Sequence, residues 1–201
     1  EKKVSRRKIK IMSDLKFLKK YFSDLKDLLN NEKYFEDLVK VKEVLQKTNS
    51  EGKKAMIFGN GGSAAIASHF SVDLTKNARV RCTNYNESDL LTCFSNDYGY
   101  EHWVEKSIDY YADEGDVIIL ISASGESKNM INAVKAASKK KIKNIITFTG
   151  NSKDNSLSKL GKINFWVDSK SYNHIENVHQ VLLLSLVDLI IGKSEYPAKI
   201  N

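Results

Sequence analysis

Proline is nearly missing from this chain. Of 201 residues only Pro197 is a proline, so every turn and helix end before it must be made by other means. Cysteine is as scarce. Cys82 and Cys93 show neither a CxxC nor a metal-type spacing, which excludes a disulfide framework and predicts two buried free thiols in a reducing compartment. Long apolar runs are lacking too. The longest, 181–191, is broken by Asp188 and falls far short of the about 20 residues a membrane span requires, and the N-terminus has charge without an apolar signal core. The expectation is a cytoplasmic protein with no membrane partner.

Excess charge of one sign is confined to one place. Residues 1–20 hold nine Lys/Arg against Glu1 and Asp14, which accounts for the whole formal charge of +7 and leaves the rest of the chain neutral. A basic arm ahead of a neutral body reads as a solvated helix start and gives no reason to expect a nucleic-acid partner. With 41% hydrophobic residues, the length suits a sizeable single core. The expected division is a basic arm and helix over 1–34 and a globular domain over 35–201.

What the chain does have is regular alternation. Leu15, Leu18, Phe22, Leu25 and Leu29, then Phe35, Leu38, Val41 and Leu45, recur at helical spacing and predict helices over 13–30 and 33–48. After them, strands over 54–58, 80–84, 117–121, 144–149 and 163–168 alternate with helices over 63–76, 87–94, 99–112, 127–140, 154–160 and 174–191. Near-continuous apolar strands between such helices predict an α/β fold: a doubly wound, five-stranded parallel sheet of flavodoxin-like order, helices on both faces, and an N-terminal helical extension. The last helix is apolar nearly all round, more than one sheet face can cover, which predicts a homo-oligomer.

Two loops carry the functional signal. Met56-Ile57-Phe58-Gly59-Asn60-Gly61-Gly62-Ser63 runs from a buried strand through a glycine turn into a helix, with Ser63 placed to cap it. The stretch fits G-x-G-x-x-A through Ala64, but Val80-Arg81-Cys82-Thr83 lacks the acidic residue of a dinucleotide site and no Gly-Lys-Ser/Thr follows, so no nucleotide cofactor is expected. The most apolar strand leads into Ser122-Ala123-Ser124-Gly125-Glu126-Ser127, a second helix N-terminus with three hydroxyls around one glycine. Either loop alone could be a plain turn and cap. Two such ends side by side in a parallel sheet converge on one small phosphorylated ligand, held by Ser63, Ser122, Ser124 and Ser127, with Asn60 closing the cradle.

With Asn96-Asp97-Tyr98-Gly99-Tyr100 between them, these loops make the chain resemble the sugar-isomerase (SIS) family over roughly residues 35–191, and within it the phosphoheptose isomerases, which turn sedoheptulose 7-phosphate into a heptose 7-phosphate. The resemblance implies a substrate site that also uses Gly61 and Asp97, a homotetramer, and a zinc ion held between the first and last helices of the domain. Positions differ from the family pattern. His69 and His179 match family histidines, Asp73 stands for a Glu, Glu176 for a Gln, Leu184 for a second histidine, Ala123 for a Thr and Asn77 for an Arg. The metal set carried over is therefore His69, Asp73 and Glu176.

Aldose–ketose isomerisation needs a base near the substrate and an acid or metal to polarise the carbonyl. His69 and Asp73 are four apart and share a helix face; Glu176 and His179 are three apart and share another, with His174 and Gln180 beside them. The expected catalytic residues are Glu176, His179 and Asp73, with Glu176 as the enediol base. Two functions follow: a sugar-phosphate isomerase making D-glycero-D-manno-heptose 7-phosphate for surface polysaccharide, or a non-catalytic phosphosugar- or protein-binding module, similar to the SIS protein that binds the bacterial replication initiator.

Overall fold

The strand segments Ala-Met-Ile-Phe and Val-Ile-Ile-Leu-Ile-Ser are buried at every position, which only a central strand covered on both faces allows. The computed structural model describes residues 2–197, with side chains from Lys10 onward. The basic side chains of residues 2–9 lie outside the described part. In chain order the elements are α1 (Lys2–Leu29), α2 (Glu32–Ser50), β1 (Ala55–Phe58), α3 (Gly62–Lys76), β2 (Cys82–Thr83), α4 (Ser88–Tyr98), α5 (Trp103–Tyr111), β3 (Val117–Ser122), α6 (Lys128–Lys139), β4 (Asn144–Thr149), β5 (Ile163–Trp166) and α7 (Tyr172–Ile191). Short 3-10 turns cover Tyr100–His102 and Leu157–Lys159. The second of these stands where a helix over 154–160 was expected.

All five strands are parallel, in the order β2-β1-β3-β4-β5. Side-chain alternation divides the core in two. Ala55, Ile57, Val117, Ile119 and Ile121 point to the layer of α2, α3 and α7, while Met56, Phe58, Ile118 and Leu120 point to α5 and α6. Burying these large apolar side chains stabilises the fold by roughly 1.5–3 kcal/mol each before chain entropy is counted.

α7 has the length and apolarity to cross a membrane. It lies instead against the sheet, where Ile175, Val178, Leu182, Leu183, Leu186 and Val187 are buried. α1 reaches back to it: Tyr21 packs on His174 with ring centroids 4.2 Å apart, and Leu25, Leu28 and Leu29 join the core beneath. One expectation fails. Cys82 is buried but Cys93 is exposed on α4, because its neighbours Leu91 and Phe94 turn to the other face of that helix and leave it in solvent.

Candidate active site

β1 and β3 are hydrogen-bonded neighbours, with Phe58 opposite Leu120. The chain runs outward from β1 to β2 and then returns to β3 on the other side, so the loops after β1 and β3 leave the sheet at its topological switch point. That crevice at the C-terminal strand ends is where open α/β sheets bind ligands. Each loop leads into a helix N-terminus, α3 and α6, whose unpaired N–H groups and dipole favour an anion.

The first loop is held by geometry. Gly61, the N-cap of α3, has φ 55° and ψ −121°, and a Cβ on Gly59 would lie 2.5 Å from the Ser63 backbone. Ser63 does not cap the helix as expected. It lies inside the first turn, buried, with Gly61 in the cap position, so its hydroxyl is not spent on capping. The second loop is held by hydrogen bonds. Ser122 Oγ lies 2.9 Å from Ser127 Oγ and 3.4 Å from Ser124 Oγ, and accepts from the Gly125 N–H at 3.1 Å. Behind it, the Ser156 N–H and hydroxyl donate to Glu126 at 2.8 and 2.7 Å, which holds that carboxyl below the usual carboxylate range.

Asn60 ties the loops together. Its amide donates to Asn129 Oδ1 at 3.1 Å and its oxygen accepts from Asn129 Nδ2 at 2.8 Å and from the Tyr100 hydroxyl at 2.9 Å. Asn129, almost fully buried, and Tyr100 are site residues that the sequence reading missed, since nothing local in either stretch announces a partner at residue 60. Asp97 stands apart. It accepts from Asn96 Nδ2 at 2.9 Å and Cys93 Sγ at 3.7 Å, and no hydrogen bond among the described residues links it to either loop.

The candidate acid–base groups line the seam between α3 and α7. His69 Nδ1 accepts from the Gln180 amide at 2.9 Å, which leaves the proton on Nε2, 3.3 Å from Asp73 Oδ2. Glu176 lies higher on α7, its carboxylate against Gly62 in the first turn of α3. His179 faces the other way. It is fully buried, edge-on to Phe148, and because a carbonyl can only accept, its Nε2–H donates to Thr149 O at 3.1 Å. Burial pushes its imidazole down to about 4, with the Thr149 bond opposing, so it is neutral at pH 7. The expectation that His179 acts on substrate is therefore corrected: it stands about 60° from Glu176 around the helix on the side away from Gln180, about 100° from that seam-facing residue, which turns it into the core.

The zinc set expected at His69, Asp73 and Glu176 does not fit. Among the described residues no three His, Cys, Asp or Glu side chains come together to hold a metal ion. His69 and Asp73 form a pair, both nitrogens of the ring are engaged, and Glu176 sits at the opposite end of the seam.

Comparison with known proteins identifies the family. A family model for the SIS domain matches residues 20–150. The chain is 31% identical over 177 residues to the phosphoheptose isomerase of Hamiltonella defensa, covering 85% of each, and 30% identical to that of Fusobacterium nucleatum, covering 83% of this chain and 88% of the other. The phosphoheptose isomerase GmhA from Neisseria gonorrhoeae superposes with a TM-score of 0.81 at 28% identity, over 88% of this chain and 98% of that one. The chain belongs to the SIS domain family. Within that family it is an isomerase.

Proposed function

We propose that the protein is a cytoplasmic aldose–ketose isomerase that converts sedoheptulose 7-phosphate to D-glycero-D-manno-heptose 7-phosphate for surface-polysaccharide synthesis. The observation that carries a phosphosugar substrate is the pair of hydroxyl-bearing helix N-termini joined through Asn60 and Asn129. In this reading Ser63, Ser122, Ser124 and Ser127 bind the phosphate with Asn60 and Gly61, and Asp97 closes on the sugar. Glu176 takes the proton from C1 of the ketose as O2 is protonated, giving the enediol; return of the proton to C2 with loss of the O1 proton gives the aldose. His69, held by Asp73 and Gln180, orients the sugar, and the hydroxyl protons exchange with water. His179 acts from below, bracing the end of β4 through Thr149. A zinc ion carries no step here.

The working unit in this reading is a homotetramer of a 35–201 domain with a 1–34 helical extension. What supports self-association is apolar surface left uncovered. Leu15, Leu18 and Phe22 on α1 and Val181 on α7 are each 45% or more exposed, beside a groove of about 370 Å³ lined by Leu29, Phe35, Val39 and Leu189. A monomeric mass by light scattering at micromolar concentration counts against it.

Incubation with sedoheptulose 7-phosphate, then with fructose 6-phosphate, while the aldose is followed, tests the activity. Aldose from the first supports the heptose reading, and aldose from the second alone moves the substrate to a shorter sugar. The failed metal set and Leu184 favour the second reading, a binding module that keeps the cradle without turnover. Phosphosugar binding with no aldose from either substrate would establish it.

A further inference from the structure

The glycines of the first loop serve different ends. Gly61 has a positive φ that a side chain disfavours, with open space where a Cβ would stand. Gly62 has no such need. It is the first residue of α3 with no positive φ, a position where alanine would favour the helix. What its missing Cβ admits is a neighbour. A Cβ there would overlap Glu176 Oε2 and lie 2.7 Å from both Oε1 and Cδ.

We propose that Gly62 is the positioning residue for Glu176, its bare Cα forming the seat that holds the carboxylate at the N-terminus of α3. The proposal rests on the isomerase reading, in which Glu176 is the base. Glu176 makes no side-chain hydrogen bond among the described residues, so the seat is made of contact and of the helix dipole, not of donors that would occupy its lone pairs. Those lone pairs stay available to a carbon-bound proton. The seat also fixes where the base stands: seven residues along α3 from His69, about 10 Å toward the cradle, so a sugar anchored by its phosphate passes Glu176 before it reaches His69.

Gly62→Ala is the direct test. The atom a new methyl would meet is the far end of a flexible side chain, so Ala should leave folding and inhibition by inorganic phosphate unchanged while displacing the carboxylate. The expected result is a fall in kcat of about 10²-fold with KM within about twofold, and no further loss when Glu176→Gln is added, since both remove one seated base. Turnover within about twofold of the parent, or losses that multiply in the double variant, would overturn the proposal. A readout free of turnover separates the seat from the isomerase reading. The Gly62 amide resonance should shift on Glu176→Gln; an amide that ignores the substitution overturns the seat whatever the activity. If the amide responds but no sugar phosphate is isomerised, the seat stands and the isomerase reading fails.

Discussion

The phosphate cradle and the α3–α7 seam lie side by side but are built on different terms. In the cradle, hydroxyls, amides and backbone N–H groups bond one another across the two loops, and Glu126 is clamped from behind by Ser156. In the seam, Glu176 is held by contact alone and His69 by Gln180 and Asp73. In the proposed reading the cradle is preorganised for an anion whatever sugar carries it. In that reading the seam holds the residues that decide the chemistry. α7 lies beyond the 20–150 stretch matched by the SIS domain model. The contrast teaches that a loop can be built from its own local bonds, whereas the seam depends on which faces of two helices meet.

The comparison breaks most readily at Glu176. Replacing it with Gln keeps shape and removes the base, so turnover should fall by about 10²-fold or more with phosphate affinity nearly intact. Loss of phosphate affinity instead would mean that cradle and seam are one site. A smaller effect is expected at Ser124. Removing one hydroxyl from a charged ligand costs about 1.5–3 kcal/mol, so Ser124→Ala should weaken sugar-phosphate binding about 10- to 100-fold with kcat little changed. Calorimetric titration reads it, and unaltered affinity would move the anion elsewhere.

His179 sharpens the comparison through stability. Its folded value of about 4 lies below the ordinary 6.5, so between these pH values the unfolded chain binds more protons than the folded one. Stability should be full above about 6.5 and fall by about 3 kcal/mol as pH drops to about 4. His179→Leu should remove that share of the slope, as read by urea unfolding at several pH values. The smallest effect concerns thiols and metal. Ellman's reagent should titrate the exposed Cys93 quickly and Cys82 only on unfolding, since burial pushes the Cys82 thiol far up. A chelator should change turnover by less than about twofold, given the incomplete donor set; strong inhibition would restore metal chemistry at His69 and Asp73.

Much of the fold was legible because its signals are local. The β3 and β4 cores match the expected strands to within a residue, α3 begins one residue early, and the order β2-β1-β3-β4-β5 is the flavodoxin-like one expected. β2 came out shorter than expected, two residues instead of five, because an edge strand pairs on one side only. Cys93 misled because apolar neighbours along the chain say little about which side of an isolated helix faces water. Helical spacing held for His69 and Asp73 but did not settle Glu176 and His179, because the seating of α7 on the sheet puts one side of that 60° separation at the seam and the other in the core.

The sequence by itself determined the alternation of elements, the parallel sheet and the two loops rich in glycine and serine after β1 and β3, because each is written in periodicities and turn residues a few positions wide. Only the tertiary structure decided which polar groups meet. Asn60 finds Asn129 across 69 positions and His69 finds Gln180 across 111. Such pairs leave no local pattern; they form because α3, α6 and α7 pack against one sheet, and packing fixes which face of each helix looks at which.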